Sequence, residues 1–120
     1  MTEGVKTVLF PVRDLDAAKA VFQVLLGVDP IADAPYYVGW NIEGQDIGLV
    51  PNGHKAGMTG PTAYFVVDDI NATHKAMIDA GAQPNEDIRD VGGGKLVATV
   101  KDPDGNVIGI TQDPGSPRAA

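Results

Sequence analysis

The 120-residue chain contains no cysteine. That excludes disulfides, thiolate nucleophiles and cysteine-ligated zinc. Serine occurs once, at Ser116 near the C-terminus, so a serine–histidine–acid triad lacks a nucleophile within the patterned region. The only histidines are His54, in a glycine-rich stretch, and His74, on a helical pattern. Two histidines set so differently do not suggest a two-histidine metal site. Basic residues are few: nine Lys and Arg against sixteen Asp and Glu leave a formal charge of −7. Because they are also scattered, neither nucleic acid nor an anionic membrane surface is expected as a partner. No run approaches the roughly 18 apolar residues of a membrane helix. The N-terminus lacks the basic start and apolar stretch of a signal peptide. With cysteine missing as well, the expected location is cytoplasmic.

What is present reads as many short elements. Fifteen glycines and nine prolines point to turns rather than long helices. Val5 to Val12 alternates as a strand, with Val8, Phe10 and Val12 on one face and Thr7, Leu9 and Pro11 on the other. Asp14 or Asp16 then caps a helix whose apolar stripe is Leu15, Ala18, Val21, Phe22, Leu25 and Leu26. Gly27 stops it. A short segment near Asp29 to Ala32 precedes a strand over Tyr36 to Ile42. A turn at Glu43-Gly44 or Gly44-Gln45 returns the chain through Asp46 to Val50.

The second half repeats this plan. Thr62 to Val67 is a strand, Asp68 or Asp69 caps a helix of about Ile70 to Ala80, and Gly81 ends it. Ile88 lies in a short strand, and Asp90 to Gly94 is a glycine-rich turn. Gly92-Gly93-Gly94-Lys95 lacks the spacing that wraps amides around a phosphate, so it reads as a hairpin. Lys95 to Lys101 and Asn106 to Thr111 form two strands joined by Asp102-Pro103-Asp104-Gly105, where Asp102 accepts turn amides and Gly105 tolerates positive φ. The tail from Pro114 has no core face and is expected to fray.

The fold class that follows is α+β: paired βαβββ modules forming curved mixed sheets around a cavity. The modules span 5–50 and 61–112 within one domain, joined by a Gly-rich connector, 51–60, which also suits a lid. A cavity between such sheets is the place to look for function.

Four stretches carry a family resemblance: Val8-Leu9-Phe10-Pro11-Val12-Arg13-Asp14-Leu15, Phe22-Gln23-Val24-Leu25-Leu26-Gly27, Val66-Val67-Asp68-Asp69-Ile70, and Val100-Lys101-Asp102-Pro103-Asp104-Gly105-Asn106-Val107-Ile108. In order and spacing they resemble the vicinal oxygen chelate superfamily, the glyoxalase/bleomycin resistance protein/dioxygenase group. The resemblance covers about residues 5 to 112. It implies a homodimer or a compact two-module monomer. Many members hold a divalent metal with His, Gln or Glu on four strand positions, and others bind a drug or metabolite without metal.

The resemblance places those four positions at Thr7, Thr62, Gly109 and Gly48, with Asp46 or Val50 replacing Gly48 if the register slips. Glycine offers no donor, and neutral threonine hydroxyls are poor substitutes for imidazole or carboxylate. No metal or other cofactor is therefore expected, which argues against glyoxalase, extradiol dioxygenase and metal-dependent epimerase chemistry. The candidate ligand-pocket residues are Thr7, Leu9, Tyr37, Trp40, Asp46, Gly48, His54, Thr62, Tyr64, Val107, Gly109 and Thr111. Tyr37 and Trp40 have opposite strand parity, so a regular strand turns only one of them inward. No catalytic residue is assigned. The expected function is metal-free small-molecule binding, such as drug or metabolite sequestration, by a homodimer. The alternatives are a divergent lyase or isomerase with an atypical site, and a structural or regulatory dimer without a ligand.

Overall fold

The computed structural model describes residues 2–115. The fold is α+β and contains two βαβββ modules, as expected from the sequence. The first runs β1 (Thr2–Pro11), α1 (Leu15–Leu26), β2 (Ala32–Ala34), β3 (Tyr37–Ile42) and β4 (Gln45–Val50). The second runs β5 (Thr62–Val67), α2 (Ile70–Asp79), β6 (Gln83–Asp90), β7 (Leu96–Lys101) and β8 (Val107–Gln112). Two compact units divide the chain: residues 6–63, and residues up to Val5 together with those from Tyr64 onward. This partition places the boundary inside β5 and assigns the start of β1 to the second unit. There Thr2 Oγ1 donates to the Val66 carbonyl at 2.6 Å.

The two units share one strand plan. In the first, the order is β2-β3-β4-β1, with β1 parallel to β4 and the remaining pairs antiparallel. In the second it is β6-β7-β8-β5, with β5 parallel to β8. A parallel closing pair requires a long crossover, and the helix of each module supplies it.

Local chemistry explains the element ends. Asp14 caps α1 by accepting from the Ala17 amide, and Asp69 caps α2 by accepting from the Ala72 amide. Gly27 ends α1 at φ 73°. After α2, the amides of Gly81 and Ala82 reach back to Ile78 and Met77, the pairing of a Schellman close, with Gly81 at φ 115°. The β3–β4 hairpin turns through Glu43 and Gly44, both at positive φ. In the β7–β8 turn, Asp102 accepts from the Asp104 and Asn106 amides and from the Asn106 side chain. These bonds, led by the side-chain amide of Asn106, hold its carboxyl below the usual range.

Each unit has its own core between helix and sheet. In the first, Val38, Trp40 and Leu49 are buried against Phe10, Leu15, Phe22 and Leu26. In the second, Val67, Ile70, Ala98 and Ile110 are buried against Met77, Ile88 and Leu96. Each fully buried Val, Leu or Ile among them contributes roughly 1.5–3 kcal/mol.

Three sequence expectations change. β1 begins at Thr2 rather than Val5, and β6 is an eight-residue strand with register shifts on either side of Glu86. The α1 stripe is narrower than expected: Leu15, Ala18, Phe22 and Leu26 face the core, while Val21 and Leu25 are 68% and 75% exposed. Their i+3/i+4 spacing fits two different faces of a helix that is apolar on most sides. The expectations on the tail beyond Gly115, including Ser116, fall outside the described residues. No helix among the described residues is long and apolar enough to cross a membrane.

Candidate functional site

The sheet face away from α1 is set by strand register. Thr7 pairs with Asp46, and Asp46 with Asn41; Leu9 pairs with Gly48, and Gly48 with Gly39. Alternation puts all of these on one face, together with Tyr37. The Tyr37 ring lies across Gly39 and Gly48. A Cβ on Gly39 would sit 2.7 Å from Tyr37 Cε2, and one on Gly48 would collide with the Tyr37 hydroxyl and lie 2.7 Å from Leu9 Cδ2. Both positions must be glycine for the ring to lie there. Burial, reinforced by the Asp46 charge, pushes the Tyr37 phenol above its ordinary value. Asp46 Oδ1 accepts from Asn41 Nδ2 at 2.7 Å. Thr7 Oγ1 is buried without a hydrogen-bond partner.

The second unit builds a similar face from the equivalent strands. Tyr64 pairs with Gly109, and Gly109 with Thr99. The Tyr64 ring, on a residue 8% exposed, covers Gly109, where a Cβ would lie 2.5 Å from Tyr64 Cδ2. Burial and the Glu86 charge raise the Tyr64 phenol, and Arg89 partly offsets them. Thr99 Oγ1 accepts from Asn85 Nδ2 at 2.9 Å and from the Glu86 amide at 3.1 Å. Thr111, 1% exposed, carries a second buried hydroxyl without a partner. Val107 has the same parity as Gly109 and Thr111.

Of the residues predicted from sequence, Thr7, Leu9, Tyr37, Asp46 and Gly48 share the first of these faces, and Tyr64, Val107, Gly109 and Thr111 share the second. Thr62, 2% exposed, opens β5 with the parity of Tyr64. Trp40 is corrected. It is 1% exposed on the helix side, stacked on Phe22 at 6.1 Å, with its indole N–H donating to the Val28 carbonyl at 3.0 Å. A regular β3 admits only Tyr37 to the opposite face. His54 lies in the turn after β4, where its Nδ1 is buried without a partner. The adjacent Gly53 packs closely on Pro11. Sequence reasoning missed Thr99, although its polar character within the alternating run of β7 marked it.

With Leu9 on β1 matched to Tyr64 on β5, strand register supports Gly48 as the β4 counterpart of Gly109. Gly48 stands to Leu9 and Gly39 as Gly109 stands to Tyr64 and Thr99. The residues at the four positions do not fit a divalent metal. Two are threonines, and two are glycines whose side-chain space is filled by a tyrosine ring. Among the described residues there is no group of three or more His, Asp or Glu placed to hold a metal ion.

Clefts away from these faces are found in both units. One of about 620 Å³ is bordered by Arg13, Asp14, Asp16, Asp33 and Pro35 at the start of α1. Another of about 330 Å³ in the second unit is lined by Phe65, Val67, Met77, Ile108 and Ile110.

The family model described as the Glyoxalase/Bleomycin resistance protein/Dioxygenase superfamily matches residues 4–110. No curated protein matches the chain. Among solved structures, NAD-dependent benzaldehyde dehydrogenase from Legionella pneumophila aligns at a TM-score of 0.71 and 20% identity, covering 88% of this chain and 96% of that one. A glyoxalase/bleomycin resistance protein/dioxygenase superfamily member from Vibrio splendidus 12B01 aligns at 0.69 and 17%, covering 89% and 97%. A Streptomyces coelicolor methylmalonyl-CoA epimerase variant, in complex with 2-nitronate-propionyl-CoA, aligns at 0.72 and 13%, covering 97% and 98%. At these identities the likeness is one of fold, which hosts unrelated activities.

Proposed function

Because the chain belongs to the Glyoxalase/Bleomycin resistance protein/Dioxygenase superfamily, we propose that it is a metal-independent member that binds a small organic molecule, in the manner of drug or metabolite sequestration in the cytoplasm. The observation that carries this reading is the tyrosine laid over glycine on both sheet faces. At Gly48 and Gly109 the ring occupies the space a ligating side chain would need. The Tyr37 ring, backed by the sheet and only partly buried, can stack on a flat ligand, and its hydroxyl supplies a polar handle. In the first unit Leu9 adds apolar area and Thr7 a hydroxyl with unused hydrogen-bonding capacity; in the second, Thr111 adds such a hydroxyl.

The homodimer belongs to the same reading. Val21, Val24, Leu25, Val28 and Ile31 are at least half exposed along α1 and the segment after it, and none is charged. The outward residues of α2 include Asn71, Lys75 and Asp79. An uncharged aliphatic helix face can pack on its own copy about a two-fold axis.

Native mass spectrometry of the purified protein, combined with elemental analysis, tests the functional reading. The expected result is an organic adduct, or uptake of one from a metabolite mixture, without stoichiometric metal. Stoichiometric zinc, nickel, iron or manganese bound by the folded protein would overturn it.

A further inference from the structure

The sheet face of the first unit has a polar composition more specific than small-molecule binding in general requires. Its register positions are Thr7, Leu9 and Pro11 on β1, Asp46, Gly48 and Val50 on β4, and Tyr37, Gly39 and Asn41 on β3. These include one carboxylate and no lysine or arginine. The basic side chains of this unit stand elsewhere. Lys6 has the opposite parity on β1, Arg13 borders the cleft at the start of α1, Lys19 pairs with Asp33 at 2.5 Å, and Lys55 is in the turn after β4. Asp46 spends one oxygen on Asn41, and no partner is described for the other. Thr7, its direct neighbour on β1, holds a buried hydroxyl with nothing to bond. One step further along the face lies the flat ring of Tyr37.

We infer that this face, through Asp46, Thr7 and Tyr37, binds a primary ammonium group carried on an apolar or aromatic small molecule. An ammonium has three donors and no acceptor. Here it meets a carboxylate oxygen, a hydroxyl oxygen and the negative face of an aromatic ring, each able to receive one N–H. The carboxylate compensates the charge in a partly buried setting where an unpaired cation is disfavoured. Leu9 receives the apolar remainder of the ligand. An anionic ligand would meet Asp46 with no compensating base on the face. The inference rests on the small-molecule reading above and narrows it to one ligand class.

The test is titration of the full chain with three probes of matched shape, followed by backbone-amide NMR: benzylammonium, benzyl alcohol and benzoate. Benzylammonium is expected to bind at least about tenfold more tightly than benzyl alcohol, with shifts centred on Thr7, Tyr37 and Asp46, and benzoate is expected to bind weakest. Asp46→Asn should abolish the preference for benzylammonium over benzyl alcohol. Thr7→Val, which keeps side-chain shape and leaves the carboxylate in place, should reduce the preference in part and serves if Asp46→Asn does not fold. Equal binding of benzylammonium and benzyl alcohol would overturn the ammonium inference and leave the small-molecule reading standing. Failure of all three probes, and of a metabolite mixture, would overturn both.

Discussion

Tyr37 and Tyr64 are held by what their neighbours lack. A ring can lie against a strand only where the facing residue has no Cβ, so Gly39, Gly48 and Gly109 are required for space and not for backbone freedom. Gly109→Ala is expected to destabilise the protein by about 1–3 kcal/mol through overpacking on Tyr64. In a Tyr64→Leu background the cost should be smaller, because the two residues are coupled. Urea unfolding of the three variants and the parent protein measures both. Burial raises both phenols above the ordinary value of 10.0. The folded state therefore holds these protons more tightly than the unfolded chain. That stabilisation is fully present below pH 10 and is lost as pH rises through the folded-state values. Tyr37→Phe and Tyr64→Phe should each flatten this alkaline loss of stability, read as urea midpoint against pH. Strand parity made the facing of Thr7, Leu9 and Gly109 legible in the sequence. The rings over Gly48 and Gly109 were not legible, because a side-chain rotamer depends on neighbours brought in from other strands.

At the scale of elements, the caps were written locally and the buried face of α1 was not. An N-cap needs only a short acceptor next to the first turn, and the sequence narrowed each choice to two aspartates. Asp69→Ala should cost about 1 kcal/mol by thermal or urea unfolding, the usual loss of a cap. Val21 and Leu25 matched the helical period as well as Phe22 and Leu26 do. Periodicity cannot rank two apolar faces on a helix with only Asp16, Lys19 and Gln23 as polar members. The sheet ranks them: Phe22 reaches Trp40 and Phe10, whereas Val24 is 86% exposed. Phe22→Ala is expected to cost about 3 kcal/mol, and Val24→Lys to stay within about 0.5 kcal/mol in the monomeric protein.

For the molecule as a whole, the exposed face of α1 bears on assembly. Light scattering on the 12.5 kDa chain should report a dimer. Val24→Lys combined with Leu25→Glu should convert it to monomer without unfolding it, and a monomeric wild-type protein would remove the homodimer from the proposed reading. The sequence by itself determined the βαβββ repeat and the family resemblance, narrowed the caps and the first hairpin turn to neighbouring choices, and left Thr7, Thr62 and Gly109 poor in metal donors. Those features depend on residue identity and on spacing within a few positions. Only the tertiary structure decided that Trp40 belongs to the core, that the outer face of α1 is bare, and that Tyr37 and Tyr64 cover the glycines. Each of those depends on which strands and helices pack together, and packing partners distant in the chain are not encoded in any local period.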